Sequence, residues 1–171
     1  MTGIHAVFVT LGLSAVMMAG LFLMLWGAVA FVQDKRLFTS APKEVQAAVL
    51  PRKERFPGAR LLGWKLITLA LLIMAGALFL GALDGIGRGF GFRDFFARFA
   101  AMLLLLKAFD ILFFDWYLLC RSGFFPRYYP ETRTVLDPHL FGYNKKQHLI
   151  QALCCIAGSF LAAWICTGFV S

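Results

Sequence analysis

Three ionisable residues stand in sequence that is otherwise apolar. Lys107, Asp110 and Asp115 fall within Phe95–Leu119, and a fourth charge, Arg98, lies near the start of that run. A charge at the centre of a membrane helix costs about 2.5–3.5 kcal/mol on insertion scales, so it is kept facing a protein interior, a partner or water. At 100° per residue, Asp110 is offset from Lys107 by about −60° and Asp115 by about +80°, with Asp115 about 12 Å further along the axis. The spacing predicts a broad polar sector in which Lys107 and Asp110, three residues apart, can meet. Such a sector could hold a proton, an ion or a small charged ligand. The structural alternative is a buried Lys107–Asp110 pair that fixes helix packing, with Asp115 at the wet interface. Arg98 is expected on the opposite side, snorkelling to the outer surface.

A second set of candidates lies further on, in Cys120–His148. This segment holds Phe124-Phe125-Pro126-Arg127-Tyr128-Tyr129-Pro130-Glu131, then His139, Lys145 and Lys146. Aromatic and basic residues beside a membrane anchor at headgroup depth, so one reading is a cap folded onto the helix ends. The other is a binding element in which Arg127, His139, Lys145 and Lys146 hold a phosphate or carboxylate. The cap needs fewer assumptions.

The remaining chemistry is sparse. The four cysteines, Cys120, Cys154, Cys155 and Cys166, form no C-x2-C pair, and the histidines have no second ligand at helical spacing. No nucleophile elbow, Walker loop or H-E-x-x-H is present. The sequence therefore predicts no catalytic residue, no metal site and no cofactor.

The elements that must position these residues follow from composition. Of 171 residues, 60% are hydrophobic, only 15% are charged, and the mean hydropathy is +0.75. An ordinary soluble domain carries about 25% charged residues. Four segments are long enough to cross a bilayer: 6–32, 61–83, 95–119 and 149–170. Lipid offers no partner to an unpaired backbone amide, so each is expected to be a helix. The first has no Lys or Arg ahead of it and is far longer than the apolar core of a secretion signal, so it is expected to stay in the mature protein. The fold expected is all-α, a single integral membrane domain forming a four-helix transmembrane bundle.

The connecting loops set the orientation. Loop one, 33–60, carries seven Lys or Arg, loop three, 120–148, carries five, and loop two, 84–94, carries two. Basic residues favour the cytoplasmic side, so loops one and three are expected inside and both termini outside. The formal net charge of +8 is explained by these loops and by contacts to anionic lipid headgroups rather than by nucleic acid. Within loop one, Pro42 and Pro51 bracket a short helix with Val45, Ala48 and Val49 on one face. That helix is either laid on the inner leaflet or an ordinary connector. Loop two, with glycine at 85, 87, 89 and 91, is expected to be a tight turn outside the membrane. Small residues recur every seven on the second segment (Gly63, Ala70, Ala77, with Asp84). On the fourth, Gln151, Cys155, Gly158/Ser159, Ala162 and Cys166 share a face. Both are packing surfaces for close helix approach.

Phe56-Pro57-Gly58-Ala59, Lys107-Ala108-Phe109-Asp110-Ile111, Asp115-Trp116, Tyr129-Pro130-Glu131-Thr132 and Gly142-Tyr143-Asn144, from about residue 39 onward, resemble small uncharacterised four-helix membrane proteins of Gram-positive bacteria. The resemblance implies a bacterial plasma membrane and brings no activity with it. Three functions fit these observations. One is a transport- or channel-type protein centred on the third segment, assembled as a homo-oligomer. The second is a non-catalytic accessory subunit held by a membrane partner. The third is an enzyme acting on a lipid or isoprenoid, for which no paired acid and base is evident. The basic bias itself is testable. A cysteine placed at Gly87 should react with an impermeant thiol reagent added outside intact cells, and one placed at Lys53 should not. The reverse pattern would overturn the orientation.

Overall fold

The computed structural model describes residues 2–38, 41–136 and 141–170. Among them the chain is all-α, with no strand. The helices are α1 (Thr2–Gly27), α2 (Lys43–Ala48), α3 (Ala59–Gly87), α4 (Phe92–Phe109), α5 (Phe124–Tyr128) and α6 (Lys145–Thr167). Two of them continue without a break into π-helix: α1 into Ala28–Val32 and α4 into Asp110–Leu119. Three helices, Gly3–Val32, Ala59–Gly87 and Lys145–Thr167, are long and apolar enough to cross a membrane. They leave Leu72, Phe79, Leu80, Leu153, Phe160 and Trp164 exposed, a surface compatible with a multi-pass membrane protein. The expected third span is helical from end to end but carries four charges.

The chain divides into two compact units. The first comprises α1 up to Gly20, Leu72–Ala108, and α6 from Lys146. Its packing is built on small residues. Met17, Ala77 and Met102 form one buried cluster, and Phe95, Phe99, Ala163 and Cys166 another. Of the expected small faces, Ala77 and Gly81 are buried on α3 and Ser159 and Cys166 on α6, where Gly158 is exposed and Ala163 is buried in place of the half-buried Ala162. Helix α3 outruns the expected span and stays helical through Gly87. It ends in a Schellman motif, with Gly89 at φ +66°, its amide bonded to Ile86 O at 3.0 Å and the Phe90 amide to Gly85 O at 3.0 Å. The next helix starts at once, the Asp94 carboxylate accepting from the Gly91 amide at 3.2 Å. Loop two is thus shorter than 84–94, and Asp84 belongs to a helix.

That change accounts for Arg98, which does not snorkel. It is 3% exposed, its guanidinium 2.7 Å from Asp84 Oδ2 and donating to Gly81 O at 2.7 Å. The Phe90 ring lies 4.5 Å from it. Asp84 also pairs with Arg88 at 2.8 Å, and Arg88 reaches His5 Nδ1 at 2.9 Å. A buried guanidinium needs its charge met and its N–H groups bonded, and a helical Asp84 supplies what an aspartate in a solvated turn would not.

The second unit comprises Leu21–Leu71 and Phe109–Lys145. Its core is Val29, Val45, Val49, Phe114, Leu118, Leu119, Phe125 and Tyr129. Both loops are therefore folded into protein. The apolar face of α2, Val45 and Val49, packs with α5 and Tyr129 rather than lying on lipid. Tyr129 and Thr132 are fully buried, in agreement with the cap reading of loop three. Two polar ties join the loops. Arg52 is ion-paired with Glu131, whose carboxylate also accepts from the Leu50 amide at 3.3 Å, and the Arg52 guanidinium sits 5.1 Å over the Tyr129 ring. Burial pushes the Glu131 carboxyl up, but the bonds from its own amide, Leu50 and Arg52 hold it below the ordinary range.

In the same unit α1 and α3 touch backbone to backbone. A Cβ added at Gly63 would lie 2.8 Å from Val32 N and 2.9 Å from Gly27 O, atoms that cannot swing away. Gly76, with nothing within 4 Å of its added Cβ, is the natural control. Gly63→Ala should lower stability by about 1–3 kcal/mol, the cost of overpacking, and Gly76→Ala should not. Thermal unfolding in detergent reads both; equal midpoints would mean the two backbones do not meet.

Candidate functional site

The third expected span does not continue as an α-helix through its charged part. From Asp110 to Leu119 the hydrogen bonds run i→i+5. The difference matters for two carboxylates five residues apart. On an α-helix Asp110 and Asp115 would be about 140° apart, facing different neighbours. In π-helix, residues five apart move toward one face, and both side chains line a single cavity of about 110 Å³. The π turn after α1 supplies the facing wall, through Ala28 and Val29. Phe114, Phe125 and Leu119 close it with apolar surface. Extended π-helix is rare, and where it occurs it often marks a functional site.

A phenol completes the polar part. Tyr143, in the turn before α6, lines the same cavity. The residue is 38% exposed, but desolvation at the cavity, then the nearby Asp115 and Asp110 charges, raise its pKa far above that of an ordinary phenol. The hydroxyl therefore stays protonated at every physiological pH and can donate where the carboxylates accept. Next to it, Asn144 Nδ2 donates to Asp115 Oδ2 at 3.4 Å. Gly142 makes this turn, at φ +86°. The cavity thus joins two carboxylates, a neutral phenol and an amide within an apolar shell. That set can bind a small cation or pass a proton between oxygens.

The other expected residues are distributed differently. Lys107 belongs to the first unit and donates to Gln151 Oε1 at 2.5 Å, a partner on α6. Arg127 is exposed and lines a separate cavity together with Arg52, Lys53 and Arg55 of loop one. Lys145 folds over Gly142, its Cε 2.5 Å from where a Cβ there would stand, and Lys146 is exposed. His139 lies outside the described residues. Sequence reading passed over Tyr143 because no spacing rule ties a loop tyrosine to a helix 28 residues upstream. It passed over the π-helix because the periodicity test assumes 3.6 residues per turn. Among the described residues, no group of three His, Cys, Asp or Glu is placed to hold a metal ion.

The electrostatic coupling gives a direct check. The carboxylates raise the Tyr143 pKa, so neutralising them must lower it while desolvation keeps it above that of the free phenol. In ultraviolet pH titrations, differenced against Tyr143→Phe, the phenolate should appear at lower pH in Asp115→Asn than in the parent. An unchanged titration would mean the three groups do not share a cavity.

Compared with known proteins, the chain matches no family, no curated protein and no solved structure, so its site is read from its own geometry.

Proposed function

We propose that the chain is a four-span protein of a bacterial plasma membrane, termini outside, that carries or conducts a small cation through the Asp110–Asp115–Tyr143 cavity. The observation that supports this is the convergence of two carboxylates and a protonated phenol on one cavity at the π-helical end of the third span. A carboxylate at the centre of a membrane helix costs about 2.5–3.5 kcal/mol that a leucine would not, and one nearer its end costs less. A purely structural helix gains nothing from bringing two of them to one face, where like charges raise the cost further. A cation or a shared proton offsets it.

Four helices enclose little volume, so a complete pathway is assigned to a homo-oligomer. Membrane lipids are the remaining partners, with anionic headgroups at loops one and three. A second reading, a non-catalytic subunit, draws on the exposed apolar side of α6, with Leu149, Leu153, Phe160 and Trp164. It differs in needing no cation.

Proteoliposomes separate the two. Under an imposed proton or potassium gradient, the purified protein should move cations that a pH dye or a potassium electrode records. Asp110→Asn and Asp115→Asn should each cut the rate at least about tenfold, the loss expected when a charge-assisted contact is removed. No flux from a correctly folded parent would leave the subunit reading.

A further inference from the structure

A second cavity, of about 620 Å³, opens in the unit that holds the π-helical segments. Its walls come from both basic loops: Arg52, Lys53 and Arg55 from loop one, Arg127 and Tyr128 from loop three, with Gln33 at its edge. No acidic side chain is among them. The three carboxylates nearest in sequence are already engaged: Asp34, beside Gln33, accepts from the Arg36 amide at 2.9 Å. Glu131 pairs with Arg52, and Glu54 turns to the start of α3, accepting from the Gly58 and Arg60 amides at 3.4 and 3.3 Å. Four cations therefore face one space with a single one of them neutralised.

Like charges from two loops line one space, an arrangement that a bound anion would favour even where solvent screens the repulsion. The scaffold under it is rigid. Arg52 is fixed by Glu131 and by the Tyr129 ring, and the Arg52 carbonyl accepts from the Arg60 guanidinium at 3.0 Å. Arg127 sits on α5, whose neighbours Phe125 and Tyr129 are buried in the core. Tyr128 accepts from Trp26 Nε1 at 3.3 Å. The arginine Nε of residue 52 is buried without a hydrogen-bond partner among the described residues, a donor the protein itself does not satisfy. Arginine forks and lysine together suit a tetrahedral oxyanion with two charges.

We propose that this cavity binds a doubly charged phosphate group, as carried by an anionic membrane lipid or by a soluble phosphate compound. The position favours the lipid. Gln33 follows directly on the apolar helix Gly3–Val32, and Arg55 lies four residues before Ala59–Gly87, so the cavity stands where one apolar helix ends and another begins. Phosphates of a bilayer lie at that depth. This site is independent of the Asp110–Asp115–Tyr143 cavity, shares no lining residue with it, and stands or falls separately.

The test uses the full chain in a neutral detergent and reads the thermal midpoint against added probe. The probes are dioctanoyl phosphatidic acid, dioctanoyl phosphatidylcholine and inorganic pyrophosphate. Phosphatidic acid should raise the midpoint saturably and phosphatidylcholine should not. Combining Lys53→Gln, Arg55→Gln and Arg127→Gln, all exposed, should weaken that response at least about tenfold. A charge-matched control, Lys35→Gln with Arg36→Gln and Lys146→Gln, should leave it intact. A response to pyrophosphate alone, with the same sensitivity to the first triple, assigns the site to a soluble phosphate. Equal weakening by both triples, or no response to any probe, overturns the proposal.

Discussion

The guanidinium of Arg98 is shielded almost completely from solvent, and it can be so only because Asp84 accompanies it. Removing a charge from water costs several kcal/mol unless a counter-charge and well-placed acceptors replace the hydration shell. Much of the first unit follows from meeting that condition. Helix α3 runs on to Gly87, which holds Asp84 at a helical position, and Gly81 leaves its carbonyl open to a second arginine N–H. Phe95 then lies against Gly85, where a side chain would collide with the ring. The same condition is met at other polar groups among the described residues. Lys107 takes Gln151, Arg52 takes Glu131, and Ser14, Ser159 and Thr167 return their hydroxyls to carbonyls one turn back.

The second unit meets a different demand: two carboxylates must share a face. An α-helix cannot do this for residues five apart, and the chain adopts π-helix through that stretch. Phe109, Phe113 and Tyr117 stack in order along it, at centroid separations of 4.9 and 5.6 Å, and give the wider turn lateral support. The loops hold the opposite wall. With α2 and α5 locked around Tyr129, they act as a lid whose inner side is apolar and whose outer side is basic. One piece of packing thus frames two cavities of opposite electrostatic character.

The all-α class, the positions of three apolar helices and the small buried face of α3 were legible, because each is a property of composition or of a fixed helical period. The short helix between Pro42 and Pro51 was legible for the same reason. What escaped depends on contacts distant in sequence or on a changed period. Arg98 was misplaced because its partner was assigned to a glycine-rich turn, and glycine content alone does not say where a helix stops. Asp110 and Asp115 were identified as candidates, but their shared face was hidden by an assumed 100° step. Arg127 was grouped with Lys145 and Lys146, its neighbours along the chain, whereas the fold groups it with loop one.

The short connector between α3 and α4 bears on how such a chain enters a bilayer. Asp84 and Arg98 lie on consecutive helices separated by Arg88–Gly91, so the two charges are close in sequence as well as in space. A hairpin can close its ion pair in the aqueous vestibule of the insertion machinery. On the four-span reading, α4 then partitions into lipid with its arginine already neutralised, where alone it would carry a bare cation. On that reading, the most highly charged helix and its apolar neighbour enter the membrane as one hairpin, joined by a glycine-bounded turn.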